Sequence, residues 1–493
     1  MLGGLPAGWA ALKSISNSPD DNEAAVGAVD ANGNAYCVWT EWHGDAGAER
    51  DMTFATNKSG SWSTPYGWPL DSTGIYAVGY PALAVTTDGA ISVIAYHDGD
   101  VSSGLMTIKE REYLNGSWSA IKNISGLSDS CSYVTLSTNP VDNTIFAVWV
   151  ADAGSGSGLK YKYRDPSTGQ WSGAMQINAG AAGGPSFPNL YIDKNGAAHL
   201  VYIVRNGTAS VWYTKNANPR DGSGWITPLS ISADSGLNVT YPRVTADGDS
   251  NAYVVWHQVD KGVTSVLLLY MIDGAWGTTQ NISNLPDLSE IAYCAVNGAT
   301  HEMYIVWHTA FGYASGGTYN WDCCMKTYEI NKATGQKEWS DIYRITSYPG
   351  HSGEPQIKIT KEGDLHFFYF DNPVGDGQGV IFYSTKMAPR PAAVNAPTVA
   401  SQLDRVLFSA LKWNTITFVK NPDNDDAALQ EYRLYGKKVE DPDTSYAILA
   451  TFAPTDTLQY VHKNLAAGQR YAYMIGVVNK AGLELKSGAT ISN

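Results

Sequence analysis

Basic residues are scarce in this 493-residue chain: 33 Lys and Arg stand against 47 Asp and Glu, a formal charge of −14. With no basic field to neutralise a phosphate backbone, nucleic acid is not an expected partner. Cysteine is rare as well. Five are present, an odd number that excludes a dense disulfide framework, and the adjacent Cys323 and Cys324 lack zinc-knuckle spacing. The longest apolar runs, such as Val263–Ile272, reach about half of a roughly 20-residue bilayer span, so no membrane span is expected. Met1–Ala11 lacks a basic segment followed by an apolar core, so no intact signal peptide is expected in this chain. Only 16% of residues are charged, whereas aromatics reach 12% and glycine numbers 49, the composition of a turn-rich all-β protein.

The abundant residues recur in order. A polar turn, a Trp and an alternating run repeat seven times, starting at Trp9, Trp62, Trp118, Trp171, Trp225, Trp276 and Trp339, at spacings of 53, 56, 53, 54, 51 and 63 residues. Between successive copies lies a β-rich run ending in an aromatic: Trp39, Tyr96, Trp149, Tyr202, Trp256, Trp307 and Tyr369. Each unit reads as four short antiparallel strands, the content of a propeller blade. Trp9–Ser16 is a fourth strand with no first three before it, and the last unit has three strands with no fourth after it. Lending the N-terminal strand to the seventh unit removes two open edges. The expected fold over residues 1–387 is therefore a seven-bladed β-propeller closed by its N-terminal strand. Gly3, Gly4, Pro6 and Gly8 read as a flexible lead, which leaves self-association by strand donation open.

Residues 388–397, containing Pro389, Pro391 and Pro397, suit a semi-rigid linker. Residues 398–493 carry Trp413 in an alternating strand and a Leu465-x-x-Gly468-x-x-Tyr471 corner before another. This segment resembles a fibronectin type III domain, which implies a β-sandwich with an inward Trp413 and a tyrosine corner.

Tight Asp/Asn-Gly turns join strands one to two and three to four, whereas the second-to-third and interblade connections are long and open on the opposite face. That face is the candidate site. His43, His97, His257 and His308 each follow a second strand, and with Tyr241 and Arg243 they supply acid–base and cationic groups. His97, Tyr241, Arg243 and His257 are the catalytic candidates if the protein is an enzyme. Trp42, His43, His308, Tyr319, Trp321 and Glu354 are the ligand-binding candidates, aromatic faces being suited to stacking on sugars; Trp68 and Tyr313 also fall in long loops. No pair of histidines has metal-ligand spacing, so neither metal nor cofactor is expected.

GYPALAVTTDGAISVIAYHDGD, residues 79–100, and TYPRVTADGDSNAYVVWHQ, residues 240–258, share one skeleton. It resembles the sialidase-like BNR-repeat superfamily, which includes seven-bladed lyases of the ulvan lyase type. The resemblance implies glycan chemistry, with His97 matching a family His; Gly79 and Tyr80 stand where such lyases carry another. Sialidase Asp boxes are absent: KSGSW62, LNGSW118 and STGQW171 occupy those turns, and the chain has only 11 Arg, so a sialidase is disfavoured. Three functions remain: a secreted or cell-surface recognition or assembly protein binding glycan or protein partners, a polysaccharide lyase or glycosidase, and a structural subunit of an extracellular filament or coat.

Overall fold

The computed structural model describes residues 2–492 apart from 17, 19, 44–48, 70–80, 100–104, 115, 127–129, 154–155, 179, 181–182, 233–236, 250, 314–319, 331–335, 348–349, 361, 373–378, 389–393, 407–408, 423, 425, 427–428 and 480–483. It is all-β, built of many small antiparallel sheets, and it divides into two compact units, one running to Lys386 and one formed mainly by Met387–Asn493.

In the first unit the pairings fall into successive groups. The first sheet is Asp21–Val29, Ala35–His43, Glu49–Thr56 and Tyr66–Pro69. First strands of the second to seventh sheets are Ala82–Val85, Ser130–Thr138, Gly184–Ile192, Asn238–Ala246, Ser289–Val296 and His351–Ile359. The sixth and seventh sheets join through one parallel bridge, Trp321 to His351. Lys13–Ser14 pairs antiparallel with Val380–Lys386.

Each consecutive pair of sheets shares one hydrophobic cluster. Trp149 lies between the second and third sheets, Trp256 between the fourth and fifth, and Trp307 between the fifth and sixth. Trp39 lies with Ile15, Phe368 and Ile381 between the first and the seventh. The repeated fourth-strand Trp packs in the same seams, edge-on to an aromatic of the preceding sheet: Trp118 on Phe54, Trp225 on Tyr161, Trp276 on Tyr213 and Trp62 on Tyr383. First strands of neighbouring sheets pack on one another, including the seventh on the first, so they form an inner ring.

The turns that end the first strands are held by their leading side chain. Asp30 Oδ1 accepts the Asn32 and Asn34 amides, and Asp193 Oδ1 accepts those of Asn195 and Ala197. The Asn297 side chain likewise accepts Ala299 and Thr300. These Asx turns make that end compact.

Several local expectations are corrected. The lead is not free: Leu2–Gly3 pairs in parallel with Tyr343–Arg344 of the sixth sheet, and Gly4 N donates to Arg344 O at 2.7 Å. The second and third strands run on past the expected loop starts, so Trp42, His257, His308 and Trp321 are ladder residues, with Trp42 opposite Arg50 and Trp321 opposite Ala310. Trp68 is buried at 3% exposure in the seam between the first two sheets, which makes it a core residue.

The second unit has one sheet of Thr398–Val406, Ser409–Thr417 and Gln459–Leu465, and another built on Leu429–Lys438 and Tyr471–Asn479. Ile416, Phe418, Tyr432, Leu434, Tyr473, Ile475 and Val477 form its core. Trp413 is not among them. Alternation places Lys412, Asn414, Ile416 and Phe418 inward, so Trp413 faces out and its Nε1 donates to Gln402. The fully buried tyrosine of the Tyr471–Asn479 strand is Tyr473, bonded through its hydroxyl to Asn414 Nδ2 at 2.8 Å and His462 Nδ1 at 2.9 Å. Among the described residues, Tyr471 makes no hydroxyl bond to the corner backbone.

Candidate functional site

One irregularity recurs in the inner ring. Each described first strand except the shortest has a β-bulge, and there a non-glycine residue takes positive φ: Ala24 (54°), Tyr133 (53°), Phe187 (49°), Tyr241 (48°), Ile291 (48°) and Glu354 (50°). Left-handed backbone costs a side-chain-bearing residue roughly 1–2 kcal/mol, and bulges re-aim side chains. Pro follows three of these residues, at Pro188, Pro242 and Pro355. Each bulge lies early in its strand, at the end of the ring away from the Asx turns; the second-to-third connections at that end are not all long as expected, being one residue between Asn206 and Thr208 and two between Asp260 and Val263.

Consecutive bulge residues touch. The Tyr133 and Phe187 rings are 4.4 Å apart, Phe187 and Tyr241 4.6 Å, and Tyr241 and His257 5.5 Å. Two residues beyond Tyr241, Arg243 donates through Nη2 to the Tyr293 hydroxyl at 3.1 Å, and its guanidinium lies 4.7 Å from that ring. Lys358 Nζ approaches the same ring at 5.8 Å. Among the described residues neither cation forms an ion pair. Burial pushes Lys358 down to about 8, and Arg243 adds to the depression.

Two of the candidate histidines, His257 and His308, are fixed by the neighbouring sheet. Ile291 N donates to His257 Nδ1 at 3.1 Å, and Glu354 N donates to His308 Nδ1 at 3.2 Å. A backbone N–H only donates, so Nδ1 is unprotonated in both rings and the proton sits on Nε2. Burial, with Arg243, holds His257 near 4; burial, with His351 and His257, holds His308 near 3. At neutral pH both are uncharged hydrogen-bond donors through Nε2. Gly353 makes room for this: a Cβ there would sit 2.8 Å from His308 Nδ1 and 3.1 Å from His351 Nε2. Trp321 packs on His308 with ring centres 4.7 Å apart and on His351 at 6.0 Å.

Opposite these groups is a carboxyl pair. Burial and the nearby Glu23 raise Glu354 to about 7, against the Ala24 amide and Arg243, which favour its ionised form. Burial also raises Glu23, whose carboxylate accepts Trp42 Nε1 at 2.5 Å, while Arg50 stacks 3.3 Å from the Trp42 ring. A carboxyl raised on folding binds a proton that the unfolded chain has lost, so it erodes stability as pH rises from the ordinary Glu range through about 7. Glu354→Gln is therefore expected to raise the melting temperature at pH 8 and to change it little at pH 4.5; an equal shift at both pH values in thermal scans would contradict this placement of the carboxyl.

The structure thus brings together Tyr241, Arg243, His257, His308, Trp321 and Glu354, with Trp42 held on Glu23. The side chains of His43 and His97, and all of Tyr319, lie outside the described residues. Sequence reasoning missed Glu23, Phe187, Tyr293 and Lys358. A readable signal existed only for Phe187, whose Phe-Pro pair matches Tyr241-Pro242. At the Asx-turn end Asp247, Asp249 and His301 bring ligand-type atoms within 4.8 Å of one another. Asp247 Oδ2 already accepts Asn251 Nδ2 and Tyr253 Oη and contacts His301 Nδ1, which accounts for the cluster as turn structure.

Neither a known sequence family nor a curated protein sequence matches this chain. Its fold is similar to that of a solved polysaccharide lyase, Uly1, with TM-score 0.52 and 12% identity over 78% of this chain and 93% of that one. That likeness is one of fold. Weaker matches are the Hadza microbial sialidase Hz136 (TM-score 0.40, 11% identity, 68% and 73% covered) and the Aleuria aurantia lectin, described as a six-bladed β-propeller with a novel fucose recognition mode (0.37, 11%, 69% and 100%). Among the described residues no helix is long and apolar enough to cross a membrane.

Proposed function

We propose that residues 1–387 form a seven-bladed propeller closed by the N-terminal strand, that 398–493 form a fibronectin type III-like sandwich after the 388–397 linker, and that the protein recognises an acidic glycan outside the cell at the end of the ring away from the Asx turns. Arg243 and Lys358 carry this reading: two half-buried cations share one tyrosine face in a chain of net charge −14, and among the described residues neither forms an ion pair. Two like charges held side by side away from water are costly, and a carboxylate or sulfate would relieve that cost. The Tyr133–Phe187–Tyr241 arc beside them suits the apolar face of sugar rings.

A second reading, eliminative cleavage of a uronate polymer, is favoured by the Tyr241–His257–Arg243 grouping. Arg243 and the His257 Nε2–H would hold the uronate carboxylate while Tyr241, as its phenolate, takes the adjacent ring proton. The bond to the leaving sugar oxygen then breaks, that oxygen takes the proton from the Tyr241 hydroxyl, and a ring double bond forms with no water consumed. Affinity electrophoresis against uronate-containing, sulfated and neutral polysaccharides, with ultraviolet absorbance followed in parallel, tests both. Retardation by acidic polymers that weakens with salt is expected, and indifference to all of them sinks the reading. Ultraviolet-absorbing product that Tyr241→Phe abolishes without loss of retardation would establish elimination; its absence across the panel leaves recognition.

A further inference from the structure

Trp413, which the fibronectin resemblance implied to be a core residue, stands on the outer face of its sheet, and its surroundings are unusual for an outward tryptophan. The partner strand carries an extra residue there: pairing shifts between Lys412 opposite Leu465 and Asn414 opposite His462, and Asn464 takes φ 58°. The bulge opens a cleft of about 360 Å³ lined by Lys412, Trp413, Val461, Lys463 and Asn464, a volume in the range of small-ligand sites. Lys412 is 5% exposed, and its Nζ is anchored on Gln469 O at 2.6 Å. Lys463 and Asn464 are exposed, and Trp413 Nε1 is oriented by Gln402. Two of the five lining residues are cationic and none is acidic, in a strongly acidic chain.

We propose that this cleft is a second glycan-binding site, in which the indole of Trp413 stacks on a sugar ring and Lys463 pairs with its carboxylate or sulfate while Asn464 supplies amide hydrogen bonds. An aromatic platform bordered by ammonium groups selects a ring that is apolar on one face and anionic at its edge. A neutral sugar would leave the exposed Lys463 charge unanswered, and a simple anion would leave the indole bare. The site shares no residue with the Arg243–Lys358 cluster, so either can exist without the other.

The test uses the full chain and a tetrasaccharide of galacturonate, with a neutral galactose tetrasaccharide as control, followed by titration calorimetry. Two sites per chain are expected for the acidic probe. Trp413→Ala should remove one, Trp413→Phe should keep it, and Lys463→Glu should weaken it about tenfold or more. Because Trp413 is outside the core, these variants should melt like the parent. The Arg243→Ala/Lys358→Ala double variant should retain the Trp413 site. Unchanged binding by Trp413→Ala, or equal binding of the neutral probe at this site, overturns the proposal. Loss of all binding in Trp413→Ala with no loss in the double variant would instead overturn the Arg243–Lys358 reading and leave this one standing.

Discussion

Removal of residues 1–17 is expected to yield a protein that aggregates or melts about 10 °C or more below the parent. The lost segment supplies the Lys13–Tyr383 and Ser14–Phe382 pairs, the Trp9–Lys386 bridge and the Ala10 and Ile15 amide bonds to Thr385 and Ile381. It also buries Ile15 completely in the seam between first and seventh sheets and packs Leu5, Trp9 and Leu12 against the sixth and seventh. At about 2 kcal/mol for a buried aliphatic side chain and about 1 kcal/mol per hydrogen bond, the sum is on the order of 10 kcal/mol. For a unit this size, roughly 0.8 kcal/mol lowers the melting point by 1 °C. The vacated Val380–Lys386 edge would then be open to pairing between molecules. Thermal unfolding with light scattering reads both effects. A truncated monomer with the parental melting temperature would be incompatible with closure by this strand.

Lys358→Met is expected to stabilise the protein and to disable it. Its ammonium is half-buried beside Arg243, and burial brings its pKa down to about 8. A lysine depressed on folding binds fewer protons than the unfolded chain, so its charged form opposes folding at pH 7, and that penalty fades as pH rises through about 8. The Met variant should therefore melt higher than the parent at pH 7, with the gain shrinking by pH 9.5. Acidic-glycan affinity should move the other way, falling tenfold or more with Lys358→Met and further with Arg243→Ala, since each removes a charge-assisted contact of about 1.5–3 kcal/mol. Parental affinity should also decline above pH 8, and Lys358→Arg should abolish that decline. Calorimetric titration and melting curves across this pH range decide the matter: an undiminished affinity in Lys358→Met, or a lowered melting point at pH 7, would remove the cation pair from the site.

Strand periodicity, turn chemistry and the Trp repeat were legible because they are local. Asp-Gly and Asn-Gly turns and alternating runs ending in Trp39, Trp149 or Trp256 state their geometry within a few residues, and the sheets follow them. Tyr241, Arg243 and His257 lie near one another for a related reason, since they belong to the two strands of one hairpin, in which Thr240 stands opposite His257. Tyr293 and Lys358 were not: Arg243 meets Tyr293 across 50 residues of sequence, and only the packing of neighbouring first strands makes them adjacent.

Nor could alternation reveal the bulges, where a single inserted residue turns Glu354 and Tyr241 out of the regular two-residue period, or the seam that buries Trp68 while Trp42 remains partly open. The tautomers of His257 and His308 are set by amides of Ile291 and Glu354 on the next sheet, a relation no sequence spacing encodes. Trp413 shows the same limit in the second unit, where the strand pattern was clear but the inward side was not. Sequence alone determined the repeating strands and the chemistry available at each, because propensity and turn geometry act between near neighbours. Only the tertiary structure decided which charges stand unpaired, which rings meet and which faces are buried, because those depend on sheets distant in sequence packing side by side.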